Sequence, residues 1–365
     1  MNFLISFTWN HATLSEYFKA LSKELVQRGH KVIIITDRQR HDLITYGNPS
    51  ILTWPSFRPV NFPDFSYAYN ILRDNNINCI IANFSSVNIL TIAGYLRKVP
   101  VRAVYYHTLS YCATPTRRNF KKKLLEIRKR IIYALSTHII SVSRAGKEDL
   151  IKTFKVNKDK IFIRPYSIYD LYKKHNSQDE KYYDVISVAA LMPHKGIDIL
   201  IKAIYILSKK LPHIKVIIVG GGEYASVYKS MVEELGLRPN ITFTGQIRGD
   251  KVIEYMLRAK ILVLPSRSDN YPAVLLEASS CGIPSIGTNV GGIPEIIKHN
   301  ETGFIVPPDD PVSLSEKIIT LLTNREIYER FKINTRKSFE KNHNLEKKII
   351  EDADFWINLT KRART

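Results

Sequence analysis

Asp269 and Glu277 stand eight residues apart in Pro265-Ser266-Arg267-Ser268-Asp269-Asn270-Tyr271-Pro272-Ala273-Val274-Leu275-Leu276-Glu277. The apolar run Ile261–Leu264 stops at Pro265-Ser266, as a buried strand would. Pro272 then sits where a helix could begin, a place that tolerates proline. Free backbone N–H groups at a helix start attract phosphate, and carboxylates accept hydrogen bonds from hydroxyls. Two acids beside such a start suit a phosphorylated, hydroxyl-rich ligand. Taken alone, the stretch fits equally well an ordinary loop and helix with two solvated acids.

The elements that would carry these residues alternate along the chain. Phe3–Phe7, Lys31–Thr36, Cys79–Ala82, Val101–Tyr106 and His138–Val142 read as strands rich in β-branched residues. Between the first two, Leu14–Arg28 has Tyr17, Leu21 and Leu25 at helical spacing and stops at Gly29-His30. The second half repeats the plan with strands at Tyr183–Ala189, Val216–Val219, Ile241–Phe243, Ile261–Leu264 and Pro284–Gly287, and helices at Ile197–Lys210 and Tyr224–Leu235. Gly220-Gly221-Gly222 lies at a strand-to-helix junction. Lys173–Lys181 lacks apolar periodicity and reads as a linker. The expected architecture is α/β, with two doubly wound Rossmann-like domains facing across a cleft. Residues 1–172 form the first, 173–182 the linker and 183–343 the second. Residues 344–365 form a late helix and tail, whose Ile349, Ala353 and Trp356 need a surface and could return to the first domain.

Composition narrows the partners. The 365 residues carry a net charge of +20, and the excess is uneven: residues 1–180 hold 28 Lys/Arg against 13 Asp/Glu, the rest 26 against 21. A basic first half favours an acidic partner: a membrane surface, a phosphorylated substrate or nucleic acid. Nucleic acid is the weakest of these, because no reading motif or interleaved aromatic–basic platform is present. No apolar run approaches the roughly 18 residues of a membrane span. Cys79, Cys112 and Cys281 are scattered, fit a reducing cytoplasm and show no metal-ligand spacing.

Together these segments resemble family 4 of the glycosyltransferases, a retaining family with the two-domain GT-B fold. Val188-Ala189-Ala190-Leu191-Met192-Pro193-His194-Lys195-Gly196-Ile197-Asp198 looks like the family's first donor-site segment, and Pro265–Glu277 like its paired-acid motif. Val290-Gly291-Gly292-Ile293-Pro294-Glu295 looks like its Gly-Gly turn, with Glu301–Val306 the segment after it. Arg28-Gly29-His30-Lys31-Val32 and the strand ending at His107 match in the first half. The order and spacing of these segments are specific where each alone is weak.

The resemblance implies a hexosyltransferase-like enzyme with a UDP- or GDP-linked sugar donor, a saccharide or lipid-linked acceptor and no cofactor. Glu277 matches the acid that binds nucleotide ribose. Asp269 matches the catalytic acid near the donor sugar, usually Glu, and His107 the histidine that faces that sugar. Lys195, the helix start at Ala273 and Val274, and the loop at Gly220 would stabilise the leaving diphosphate without a metal. The one Asp-x-Asp, Asp352-Ala353-Asp354, falls in the late helix, where residues two apart point to different faces, and reads as solvated surface. Two departures stand out. The family arginine five positions before the lysine is Ala190, with His194, Arg267 and Arg248 as possible substitutes. The glycine-rich loop after the first strand is replaced by Trp9–Glu16.

Asn119–Leu135 carries Phe120, Leu124, Ile127, Ile131 and Leu135 at helical spacing, and eight basic residues lie within Arg117–Arg130 against one acid, Glu126. Lys121, Lys122, Lys123, Arg128, Lys129 and Arg130 suit a helix lying on an anionic membrane; the same stripe could equally pack on the first domain's sheet. The resulting expectation is a cytoplasmic, peripheral enzyme at the inner face of the cell membrane, acting in polysaccharide, lipopolysaccharide or other cell-envelope glycan assembly. The rival is a catalytically decayed sugar-nucleotide-binding protein of the same fold.

Overall fold

The computed structural model describes residues 1–10, 13–37, 47–110, 119–175, 180–247 and 249–364, with 119–122 described by backbone alone. His11 and Ala12 of the first loop, Cys112, Arg117, the 176–179 part of the expected linker and Arg248 lie outside these residues, as do the side chains of Phe120, Lys121 and Lys122. The chain forms two compact units, one of residues 1–167 with 345–365 and the other of 168–344.

The first unit is a seven-stranded parallel sheet in the order β3-β2-β1-β4-β5-β6-β7. Its strands are β1 Asn2–Ser6, β2 Lys31–Thr36, β3 Ser50–Thr53, β4 Cys79–Ala82, β5 Val101–Tyr106, β6 His138–Ser141 and β7 Ile161–Ile163. The helices α1 Thr13–Gln27, α2 Phe62–Asp74, α3 Val87–Leu96, α4 Asn119–Leu135 and α5 Arg144–Phe154 alternate with them. Parallel strands covered on both faces need apolar residues on both; all four residues of Cys79-Ile80-Ile81-Ala82 are accordingly buried. The order reverses between β1 and β4, so loops at their carboxyl ends open a crevice where ligands of such sheets bind. β3 and β7 escaped the sequence reading because Ser-Ile-Leu-Thr and Ile-Phe-Ile are too short to show a period.

The second unit begins with the short α6 Leu171–His175. It continues β8 Tyr183–Val188, α7 Ile197–Ser208, β9 Val216–Val219, α8 Ala225–Glu234, β10 Ile241–Gly245, α9 Asp250–Leu257, β11 Ala259–Leu264, α10 Ala273–Ser280, β12 Ser285–Thr288, α11 Ile293–Ile296, β13 Gly303–Val306, α12 Pro311–Thr323 and α13 Arg325–Asn342. Its six-stranded sheet is also parallel, in the order β10-β9-β8-β11-β12-β13, and reverses between β8 and β11. In the sequence, β13 shows only as the motif segment Glu301–Val306. Gly303 lets it approach β12: a Cβ there would lie 2.0 Å from the Ser285 carbonyl oxygen.

The last helix, α14 Leu345–Arg362, belongs to the first unit and packs along α1. Trp356 is 1% exposed and meets the Tyr105 ring at 6.3 Å. The expectation that the Asp-x-Asp pair is solvated surface holds for Asp354, which is exposed, and is corrected for Asp352. Asp352 is 6% exposed, accepts a hydrogen bond from the Tyr17 hydroxyl at 3.0 Å and pairs with Arg164. Asp354 pairs with Arg28 at 2.5 Å. Residues two apart on a helix point to different faces, so Asp352 lies on the packed side of α14 and Asp354 on its exposed side.

Candidate active site

In the second unit the site is built from two loops at the carboxyl ends of β8 and β11, the strands flanking the reversal. After β8 the chain makes a 3-10 turn, Pro193–Lys195, and Gly196 at φ 68° starts α7. A side chain at Gly196 would put Cβ 2.0 Å from the Pro265 carbonyl oxygen. The loops are therefore in backbone contact, and the Arg267 N–H donates to the His194 carbonyl at 2.8 Å. This contact brings Lys195 to Asp269, where Nζ donates to Oδ2 at 2.6 Å with both side chains largely buried. The Gly291-Gly292 turn closes on the same place, Gly292 N–H donating to the Asp269 carbonyl at 3.2 Å.

α10 follows directly. Its N-cap is Pro272, and no side chain caps it. Ala273 and Val274 occupy the first two helical positions and are half-buried. Helix starts leave such amides without intrahelical partners, and the helix dipole adds positive potential there. Glu277 lies one turn further along, half-buried. Gly220, at φ 145°, marks the end of β9; a Cβ there would lie 1.9 Å from the Ala189 carbonyl oxygen, so glycine is required by backbone packing against the β8 loop. Lysine, two acids, a helix start and a glycine loop thus gather at the carboxyl edge of one sheet. They can hold a diphosphate and hydroxyls.

The structure corrects two of the possible substitutes for the arginine missing at Ala190. Arg267 is committed: it makes a two-pronged pair with Asp198 at 2.9 and 2.6 Å, reaches Asp309 at 2.6 Å and donates to the Pro193 carbonyl. These acids raise its pKa above the ordinary arginine value. Burial, and the Lys195 ammonium beside it, push His194 below the ordinary histidine range, so it carries no charge at neutral pH. Arg267 is a brace between loops, a role that sequence reasoning missed; the i+69 spacing from Asp198 leaves no local signal.

In the first unit, His107 follows β5. Its ring stacks between Phe84, at 4.6 Å and 20°, and Tyr105, at 5.4 Å and 10°. Nε2 lies 2.8 Å from the Asn83 Oδ1, while the Asn83 amide donates to the Ser6 carbonyl at 2.9 Å. That second bond fixes which end of the carboxamide faces the ring. Nε2 must carry the proton and donate, leaving Nδ1 as an acceptor. Burial pushes the imidazole down to about 3, so it is neutral. Asn83 and Phe84 were missed by sequence reading; they stand at the end of β4, next to β5 only in the folded sheet.

α4 carries the basic stretch. Leu124, Ile127 and Ile131 are 59, 53 and 55% exposed, whereas Ile132 and Tyr133 are buried. The reading in which this apolar stripe packs on the sheet is thereby corrected: a neighbouring face of the helix does the packing. Lys123, Arg128 and Arg130 are exposed and Lys129 is half-buried. Ile92, Tyr95 and Leu96 on the adjoining α3 are exposed as well.

Two reversing parallel sheets, one bearing a lysine–acid pair at its switch point, are the architecture of the GT-B glycosyltransferases. Sucrose-phosphate synthase from Thermosynechococcus elongatus has the same fold, with a TM-score of 0.80 over 99% of this chain and all of that one at 18% identity. Residues 14–168 match the family model described as Glycosyltransferase Family 4, and residues 169–338 the one described as Glycosyl transferases group 1. The chain belongs to this family and is a glycosyltransferase. It is 25% identical to the phosphatidylinositol N-acetylglucosaminyltransferase gpi3 subunit of Schizosaccharomyces pombe, over 94% of this chain and 74% of that protein. It is 30% identical to a GDP-mannose-dependent alpha-(1-6)-phosphatidylinositol monomannoside mannosyltransferase of Mycobacterium tuberculosis, over 39% of each.

Proposed function

We propose that this glycosyltransferase moves a sugar from a nucleotide diphosphate donor to a saccharide or lipid-linked acceptor, with retention at the anomeric carbon and without a metal, in cell-envelope glycan assembly. The observation that carries this reading is the Lys195–Asp269 pair at 2.6 Å beside the uncapped start of α10. Lys195 and the Ala273 and Val274 amides take the diphosphate, Glu277 the ribose hydroxyls, and the Gly220 loop lets the backbone pass close by. As the bond from the anomeric carbon to phosphate oxygen breaks, Asp269 stabilises the positive charge left on carbon. The acceptor hydroxyl adds on the same face and gives its proton to the departing phosphate. His107, held neutral, offers an acceptor nitrogen to the transferred sugar. The residues of the single Asp-x-Asp hold Tyr17, Arg164 and Arg28 and so are committed elsewhere; this supports leaving-group stabilisation by lysine and amides.

Membrane attachment is part of the reading. Among the described residues no helix is long and apolar enough to cross a bilayer. The exposed aliphatics of α3 and α4 with basic neighbours suit attachment to an anionic surface. The two curated relatives named above are, by name, transferases acting on phosphatidylinositol and its mannoside.

Purified protein given UDP- and GDP-sugars with lipid-linked acceptors should form product that keeps the donor's anomeric configuration, in EDTA as in buffer. Lys195→Ala should cost about tenfold or more in kcat/KM, as expected when a charge-assisted contact to phosphate is lost. An inverted product, or activity abolished by EDTA and restored by a divalent ion, would refute the mechanism. Donor binding with no turnover against any acceptor would favour a decayed binding protein, which the alanine at position 190 makes a specific alternative.

A further inference from the structure

A groove of about 400 Å³ runs beside α4 in the first unit, within the range of small-ligand sites. Phe84, Tyr105 and Tyr133 give it aromatic walls, His107 lines it, and Arg128 and Lys129 supply its charge. Lys129 is the unusual member. It is half-buried, its Nζ lies 5.1 Å over the Phe154 ring, and burial lowers its pKa. Among the described residues no carboxylate lies within ion-pair distance of it. Two acids attract it from further off: Glu126, three residues earlier on the same helix, and Asp149, which is already saturated by the Tyr106 hydroxyl, the Ser110 amide and hydroxyl, and the Thr153 hydroxyl, at 2.5 to 2.7 Å. A lysine taken partly out of water with no acid in contact costs free energy that an anion bound directly to it would return.

We infer that this groove seats the phosphate of an amphiphilic acceptor, with Lys129 and Arg128 on the phosphate and the aromatic walls on the adjoining apolar chain. The inference rests on the proposed transfer to a lipid-linked acceptor and deepens it: the acceptor is a phosphate-bearing lipid, and the groove binds its phosphate one molecule at a time. It differs from the attachment of α4 to a surface, which uses the exposed aliphatic side chains and needs a bilayer. The aromatic walls favour a lipid phosphate over the free ion, because inorganic phosphate leaves them wet. Since His107 lines the same groove, a lipid held there by its phosphate has its head group beside the histidine assigned to the transferred sugar.

The test uses the full chain and three soluble probes below their aggregation limits: hexyl phosphate, inorganic phosphate and 1-hexanol, with binding read by calorimetry. Hexyl phosphate should bind about tenfold or more tightly than either of the others, and Lys129→Gln should remove about tenfold of that affinity. Lys129→Arg, which keeps the charge, should retain it within about threefold. Equal binding of inorganic and hexyl phosphate would overturn the lipid assignment. Unchanged hexyl phosphate affinity in Lys129→Gln, or a loss that Lys129→Arg shares, would overturn the groove assignment. Nucleotide-sugar binding is measured separately in the unmutated protein and in Lys195→Ala, so a failure of the donor reading is distinguishable from a failure here.

Discussion

Gly196 decides whether Lys195 meets Asp269. Its φ of 68° is in the left-handed region, where L side chains cost roughly 1–2 kcal/mol. A Cβ would also stand 2.0 Å from the Pro265 carbonyl, a backbone atom of the opposing loop that has no rotamer to yield. Gly196→Ala should therefore push the loops apart, lower stability by about 2 kcal/mol or more, and weaken nucleotide-sugar binding about as much as Lys195→Ala does. Urea unfolding together with nucleotide-sugar titration checks both parts; native affinity in Gly196→Ala would show that the loop contact does not set the lysine. The same scale explains why Arg267 could not be assigned from the sequence. An arginine beside a paired-acid motif looks available for phosphate, and only the folded distances to Asp198 and Asp309 show it already spent on carboxylates.

At the scale of elements, α4 separates two roles along its own surface. Ile132 and Tyr133 hold it to the sheet, while Leu124, Ile127 and Ile131 face outward. The helical period announced an apolar stripe, but the stripe and the buried face turn out to be neighbours. Exposed aliphatic side chains contribute little to folding and each contribute about 1 kcal/mol or more on entering an apolar phase. Changing Leu124, Ile127 and Ile131 together to Ser should leave the melting temperature unchanged or slightly raised. It should reduce co-sedimentation with vesicles of phosphatidylglycerol and phosphatidylcholine by about tenfold or more. Equal sedimentation of the triple variant would remove the membrane role of this helix.

Across the whole chain, folding charges several buried groups unequally, and this gives stability a pH dependence. Burial pushes His107 down to about 3 and His138 down to about 4. Both would titrate near 6.5 when unfolded, so the unfolded chain binds more protons below that value. Their contribution is full above about 6.5 and is lost progressively as pH falls toward 4 and then 3. Asp352 works in the opposite sense: burial raises it, so the folded state holds its proton to higher pH and its term declines as pH rises above the usual carboxylate value. In the window between pH 7.5 and 5 the histidines dominate. The urea midpoint should be lower at pH 5, and the double variant His107→Gln, His138→Gln should flatten that slope. A midpoint independent of pH over this window in the unmutated chain would contradict the burial of these rings.

The sequence by itself determined the alternating parallel strands and helices, the paired-acid turn with its lysine segment, and the basic amphipathic helix, because each is written in local spacing that survives without neighbours. The tertiary structure decided what those pieces touch. It took Asp352 from supposed surface to a buried partner of Tyr17 and Arg164, joined the exposed Asp354 to Arg28, set Asn83 under His107, and left Lys129 out of contact with Asp149, whose acceptors were full. These partners lie 20 to more than 300 residues apart in sequence, and their meeting depends on strand order and helix docking, which no local period encodes.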